Sequence, residues 1–190
     1  MRAWINQIIF ISWTAMFGLW FVTGVNVKQT AQSRSEGASR IALWIVWLGW
    51  WLVFSRGFGK EPLSWQVVPA TSVAAYAGLL LTIPGLAFAV WARLCIGRNW
   101  SSLIHVKQDH ELIHTGAYGV VRHPIYAGLL LSTLGTAIAY GQLSGFIGFV
   151  LVAAAWGYKA RLEECAMLER FGVEYEQYRA NVKGFVPFVW

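Results

Sequence analysis

Charge is scarce in this chain: Asp, Glu, Lys and Arg together make up 13% of 190 residues, and only nine of them are acidic. That poverty excludes an ordinary soluble domain, whose surface needs about a quarter of its residues charged. The balance is basic, with a formal charge of +6, yet no basic run is interleaved with base-stacking aromatics, so nucleic acid is not an expected partner. Cysteine is nearly absent. Cys95 and Cys165 are the only two, and both adjoin charged segments assigned below to the cytoplasmic side, so no structural disulfide is expected. Walker, GxGxxG and GxSxG patterns are missing, which removes support for nucleotide hydrolysis and serine-hydrolase chemistry. Without an internal repeat, low-complexity tract or linker, the chain reads as one membrane domain over 1–190. Within it, 1–94 supply N-terminal transmembrane helices and 95–190 the part that carries polar motifs.

What remains is apolar and aromatic: 57% hydrophobic, with 12 Trp, 11 Phe and 7 Tyr. Apolar runs fall at Trp4 to Val25, Ile41 to Phe54, Val67 to Leu94, Ile125 to Tyr140 and Gln142 to Tyr158. They predict an all-α integral membrane protein of about five transmembrane helices, followed by a cytoplasmic amphipathic helix. A span needs roughly 20 residues, so the second and fourth runs are short unless their flanks contribute. The second is dense in Trp44, Trp47, Trp50 and Trp51, rings that favour the interface and would suit a tilted or half-inserted helix. Pro84 is expected to kink the third run without ending it. The first run is too long for a signal-peptide core and is expected to stay as an anchor.

Charge asymmetry orients this map, because cytoplasmic connections hold most Lys and Arg. One side receives Lys28, Arg34, Arg40, Arg93, Arg98, Lys107, Arg122, Lys159, Arg161, Arg170, Arg179 and Lys183; the other receives only Arg2, Arg56 and Lys60. The N-terminus is therefore expected outside and the C-terminus inside, in the lipid bilayer of a plasma membrane. Beyond the fifth run, Leu162, Ala166, Leu168, Phe171, Tyr175 and Tyr178 recur at helical spacing until Pro187.

The fourth and fifth runs are joined by a short uncharged turn at 140–144 and should form an antiparallel hairpin. About 18 residues of helix in each direction from Gln142, at ~1.5 Å each, reach Pro124 on one arm and Ala160 on the other. Arg122 and His123 should therefore meet Arg161, Glu163 and Glu164 at one face. Pro124 reads as a first helical residue, which puts Arg122 and His123 at a helix mouth, where anions bind. Tyr126 and the small Gly128 follow. For each residue a plainer role exists: snorkelling for the arginines, helix capping for His123, a solvated face for the glutamates paired with Arg161 or Lys159. Their convergence at one depth favours a ligand site. His110 and His114 have the i, i+4 spacing of a metal pair, with His105 near, but no carboxylate or cysteine completes a ligand set and no metal is expected.

The second half of the chain resembles the isoprenylcysteine carboxyl methyltransferase family, integral-membrane enzymes related to phospholipid N-methyltransferases. The residues that carry the likeness are Gly116 and Tyr118, the run Arg122-His123-Pro124-Ile125-Tyr126-Ala127-Gly128, the pair Glu163-Glu164, and Phe171-Gly172-Val173-Glu174-Tyr175-Glu176-Gln177-Tyr178 before Pro187. Asn99-Trp100-Ser101 and His110-Glu111-Leu112-Ile113 resemble the region that precedes this pattern. Ala117 stands where the family often has proline, and the short chain is more similar to compact prokaryotic members than to the eukaryotic enzymes.

The resemblance implies a cytoplasm-facing pocket for S-adenosylmethionine and a lipophilic small-molecule acceptor entering from the membrane. Carried over residue by residue, it implies cofactor contacts from His110, Leu112, Ile113, Gly116, Tyr118, Arg122, His123, Pro124, Tyr126, Gly128, Glu163 and Glu164. Catalytic roles fall to Arg122, Arg161 and Glu164. Arg122, His123 or helix amides would meet the donor's carboxylate, the glutamates its amino group or ribose hydroxyls, and Tyr118 and Tyr126 its adenine or sulfonium. An isoprenylcysteine-type carboxylate is the favoured acceptor; a phospholipid amine or a thiol are alternatives, and a non-enzymatic transporter or ligand-binding protein is the reading from another class.

Overall fold

A computed structural model describes residues 2–24, 36–55, 59, 61–97 and 112–186. They form seven helices and no strand: α1 (Arg2–Gly24), α2 (Glu36–Ser55), α3 (Ser72–Ile96), α4 (Ala117–Val120), α5 (Pro124–Tyr140), α6 (Leu143–Phe171) and α7 (Val173–Asn181). α1, α2, α3 and α6 are each long and apolar enough to cross a membrane, whereas α5 is apolar but has 17 residues. Large apolar side chains such as Phe21, Leu80 and Val150 stand exposed around them, as expected of surfaces that face lipid.

The Trp-rich second run gains length from its polar N-terminal flank, since α2 begins at Glu36 and reaches 20 residues. Its tryptophans divide by helical phase. Trp44, Trp47 and Trp51 point outward, while Trp50 is buried and donates from Nε1 to Thr133 Oγ1 at 3.1 Å. α2 is long and apolar enough to cross a membrane. Pro84 lies inside α3, which continues past it.

α3 and α5 run antiparallel along a seam of small residues. A Cβ placed on Gly128 would lie 2.5 Å from Gly85 O and 2.7 Å from Ala89 N, and one on Gly135 would lie 2.6 Å from Gly78 O. No side chain fits there. With backbones this close, hydroxyls complete the contact: Thr82 Oγ1 and Thr136 Oγ1 are 3.3 Å apart, and Ser132 Oγ donates to Thr82 O at 3.1 Å. Trp13 adds its indole N–H to Thr136 Oγ1 at 3.0 Å, bringing α1 to the same seam. Small residues and neutral hydroxyls are what helix association inside a bilayer requires, because apolar burial offers little gain there. α2 meets α6 in the same manner at Gly49 and Gly148.

The α5–α6 turn is short, as its sequence predicts, with Gly141 left-handed at φ 76°. Residues 63–68 close over it: Val67 and Val68 donate to Gly141 O at 2.8 and 3.0 Å, and Leu143 N donates to Trp65 O at 2.9 Å. The third apolar run therefore enters α3 only at Ser72, behind the Thr71 cap. At the other end of the bundle α6 does not stop with its apolar stretch; it extends through 29 residues to Phe171. The amphipathic pattern expected as one tail helix is split at Gly172, whose φ of 50° turns the chain into α7.

Candidate active site

Pro124 is the first residue of α5, with His123 at its N-cap, as the helix-mouth reading requires. Opposite it, α6 presents Lys159, Glu163 and Glu164. Lys159 and Glu163 are four residues apart and share a helix face, and their Nζ–Oε1 distance is 3.0 Å. The hairpin thus brings together residues some forty positions apart in sequence.

Glu164 Oε1 is the hub of one half of the cluster. It accepts from Arg122 Nε at 3.0 Å, from Arg122 Nη2 at 2.8 Å, and faces His123 Nε2 at 3.0 Å. Oε2 stays outside this network. Glu163 is the hub of the other half: its Oε1 accepts from Lys159 and from the Tyr126 hydroxyl, and its Oε2 lies 3.7 Å from His123 Nδ1. Lys159 Nζ also donates to Tyr126 Oη at 2.8 Å. His123 stands between two carboxylates. Burial lowers its pKa, but the hydrogen bonds and charges of Glu163 and Glu164 outweigh that and raise it overall. The glutamate side chains remain 25% and 18% exposed, so this cluster is open on its carboxylate side.

The tail supplies the rest of the wall. Arg122 N and His123 N donate to Lys183 O at 2.7 Å and Gly184 O at 3.0 Å, and Arg122 Nη1 donates to Val182 O at 2.5 Å and Arg179 O at 3.2 Å. Tyr178 Oη donates to Tyr118 O at 2.6 Å, and burial pushes that hydroxyl up to about 12, so it remains a donor. The amides of Arg122 and His123, just ahead of the helix, are thus taken by the protein's own tail carbonyls. Arg122 is likewise spent on Glu164 and the tail.

Aromatic rings stack through the site. Tyr126 lies parallel to Trp156 at 4.4 Å and to His123 at 5.8 Å, and Phe185 stacks on His123 at 5.3 Å. Tyr118, half-buried on α4, keeps more of its ring available.

Of the other residues expected at the site, Gly116 has φ 62° and opens α4, with Cys95 close behind it. Leu112 and Ile113 are half-buried in the segment leading to it, and Gly128 lies in the α3 seam one turn below His123. His110 and Asn99-Trp100-Ser101 fall outside the described residues. Arg161 is exposed and makes none of the cluster's contacts. Conversely, Lys159 is 2% exposed at the centre of it, although sequence reading treated it only as a loop charge or a surface partner of the glutamates. Its i, i+4 spacing to Glu163 was the available signal. Trp156, one turn earlier, was missed altogether.

The family model for phospholipid methyltransferase matches residues 73–174, a span that holds Arg122, His123, Lys159, Glu163 and Glu164. A probable protein-S-isoprenylcysteine O-methyltransferase of Oryza sativa subsp. indica is 32% identical over 119 residues, which cover 60% of this chain and 61% of that protein. The protein-S-isoprenylcysteine O-methyltransferase of Saccharomyces cerevisiae is 30% identical over 125 residues, covering 63% of this chain and 52% of the relative. The chain thus spans just over half the length of these curated relatives. Among solved structures, the eukaryotic intramembrane Ras methyltransferase named isoprenylcysteine carboxyl methyltransferase superposes with a TM-score of 0.55 at 25% identity, over 84% of this chain and 55% of that one. With a family match across more than half its length and the paired carboxylates inside it, this chain belongs to the phospholipid methyltransferase family, alongside the isoprenylcysteine carboxyl methyltransferases.

Proposed function

We propose that this protein is an integral-membrane methyltransferase that uses S-adenosylmethionine and a lipophilic acceptor, with an isoprenylcysteine-type carboxylate as the favoured acceptor. The observation that carries the reading is the open edge of the Glu163–Glu164 pair beside an Arg122 already bonded to Glu164 and to the tail. This donor set fits the cofactor on one side of the molecule: carboxylate oxygens suit an amino group, ribose hydroxyls and a nearby positive charge. Glu163 and Glu164 would hold it, with Tyr118 offering a ring face and the segment containing Leu112, Ile113 and Gly116 completing the wall. Arg122 and His123 act one step back, fixing Glu164 and the tail.

Bound there, S-adenosylmethionine supplies an electrophilic methyl group on a sulfonium. The protein's task is then to align an acceptor with that group and exclude water. A carboxylate acceptor is already ionised, so no base is required, and orientation suffices. Arg161, exposed near Glu164, has a guanidinium open to such an anion. For an amine or thiol acceptor a proton must leave first, to Glu164 or to His123 in molecules whose imidazole is neutral. A phospholipid amine is the second reading, favoured by the family model matched over 73–174.

We further propose that α5 crosses the bilayer with the four longer helices, as the fifth span of a single membrane domain with the cofactor-binding half at 95–190. The many Lys and Arg at the site's end of the bundle argue for a cytoplasmic site and C-terminus, with the N-terminus outside, in a prokaryotic plasma membrane.

The decisive experiment is incubation of purified protein with methyl-labelled donor, a lipid extract and a prenylcysteine analogue, followed by identification of the labelled product. Label on the analogue as a base-labile ester is expected. Label on lipid amine instead would replace the acceptor, and no label together with no calorimetric binding of S-adenosylhomocysteine in nanodiscs would end the methyltransferase reading.

A further inference from the structure

At the end of the bundle opposite the carboxylate cluster, α1, α2 and the α5–α6 turn enclose a cleft of about 980 Å³. Its lining changes character with depth. Arg2 and Asn6 lie on one i, i+4 row of α1, and that row continues into Phe10; Gln7 continues into Ile11 in the same way. The polar positions are therefore at the helix end and the apolar ones a turn deeper. Phe10 and Ile11 are 60% and 63% exposed, on the surface that faces lipid.

Three buried polar atoms of this lining have no hydrogen-bond partner among the described residues: Arg2 Nε, Asn6 Oδ1 and Gln142 Oε1. Among the described residues Arg2 makes one hydrogen bond, from Nη2 to Ala139 O at 3.3 Å, and no carboxylate lines the cleft. A cation at a membrane boundary with an unspent N–H calls for an anion. The two amide oxygens call for N–H or O–H donors. A purely anionic ligand would satisfy the first and leave the others orphaned.

We infer that this cleft binds a phospholipid whose headgroup carries a hydrogen-bond donor, with the phosphodiester on Arg2, the headgroup hydroxyl or ammonium on Asn6 and Gln142, and one acyl chain along Phe10 and Ile11. The order of groups in such a lipid, donor and phosphate outermost and hydrocarbon below, is the order of the lining. The site lies at the other end of α5 and α6 from Glu163 and Glu164, so it is separate from the proposed methyl-donor pocket and does not depend on it.

Native mass spectrometry of the full chain in detergent with added phosphatidylglycerol tests this. Retention of phosphatidylglycerol is expected to exceed that of phosphatidylcholine, whose headgroup has no donor. Arg2→Gln is expected to weaken it about tenfold and Asn6→Leu severalfold, in line with loss of a charge-assisted and a neutral hydrogen bond. Glu164→Gln should leave it unchanged. Equal retention of both lipids, or unchanged retention in both cleft variants, would overturn the proposal. Occupancy by glycerol 3-phosphate with no lipid retained would replace it with a site for a free phosphate ester. Thermal midpoints of the variants separate lost binding from lost fold; if Arg2→Gln does not fold, Asn6→Leu alone decides.

Discussion

The α3–α5 seam and the cluster at the mouth of α5 are a turn apart and held together by opposite means. In the seam, Gly78, Gly85, Gly128 and Gly135 bring two backbones into contact, and the polar groups present are neutral hydroxyls satisfied locally. The cluster contains two carboxylates, a guanidinium, a buried ammonium and an imidazole, each bonded to another. Shape holds the seam; charge holds the cluster. The difference implies that fold and site can be broken separately.

The largest effect is expected from Gly128→Val. Its side chain would meet backbone of α3, which cannot move aside as a flexible side chain would, so a loss of about 3 kcal/mol or more is expected. A thermal melt in detergent should show the midpoint fall sharply, and a near-wild-type midpoint would refute the close approach. Glu164→Gln should do the reverse. It removes the charge that three N–H groups converge on, so binding of S-adenosylhomocysteine should drop by an order of magnitude or more, while stability falls by about 1–3 kcal/mol. If its melt matched that of Gly128→Val, seam and cluster would be one cooperative unit.

The smallest effect is the pH response of His123. Its folded pKa is raised above the ordinary 6.5, so protonation favours the folded state. That contribution is fully present below about pH 6.5, and it is lost as pH rises through the raised folded value. The stability difference between wild type and His123→Gln, followed by melts from pH 6 to 9, should therefore shrink as pH increases. A constant difference would mean that His123 is neutral between its two carboxylates.

Height along the bundle was legible in the sequence, and direction around a helix was not. Counting residues from Gln142 placed His123 level with the glutamates, because helical rise is fixed. The same count placed Arg161 there too. At 100° per residue, however, Lys159, Ala160, Glu163 and Glu164 share one face of α6, and Arg161 lies roughly 130° away from its middle. Depth alone could not distinguish the buried ammonium from the exposed guanidinium. The limits of α2 were hidden for a related reason: Ser39 and Arg40 interrupt hydropathy without interrupting the helix. The cover over the α5–α6 turn depends on backbone hydrogen bonds from 63–68, which leave no mark in hydropathy at all. Gly172 was visible as a residue, but only its positive φ shows that the tail pattern belongs to two helices.

Because α6 runs unbroken from Leu143 to Phe171, it acts as a ruler. The twenty steps from its first residue to Glu163 amount to about 30 Å, the hydrocarbon thickness of a typical bilayer. With α6 crossing the bilayer as proposed, the length of this rigid rod sets the carboxylates at headgroup level. A thicker or thinner membrane must be met by tilt of that rod or by local deformation of lipid, so membrane thickness acts on the height of the carboxylates before it acts on any contact among them.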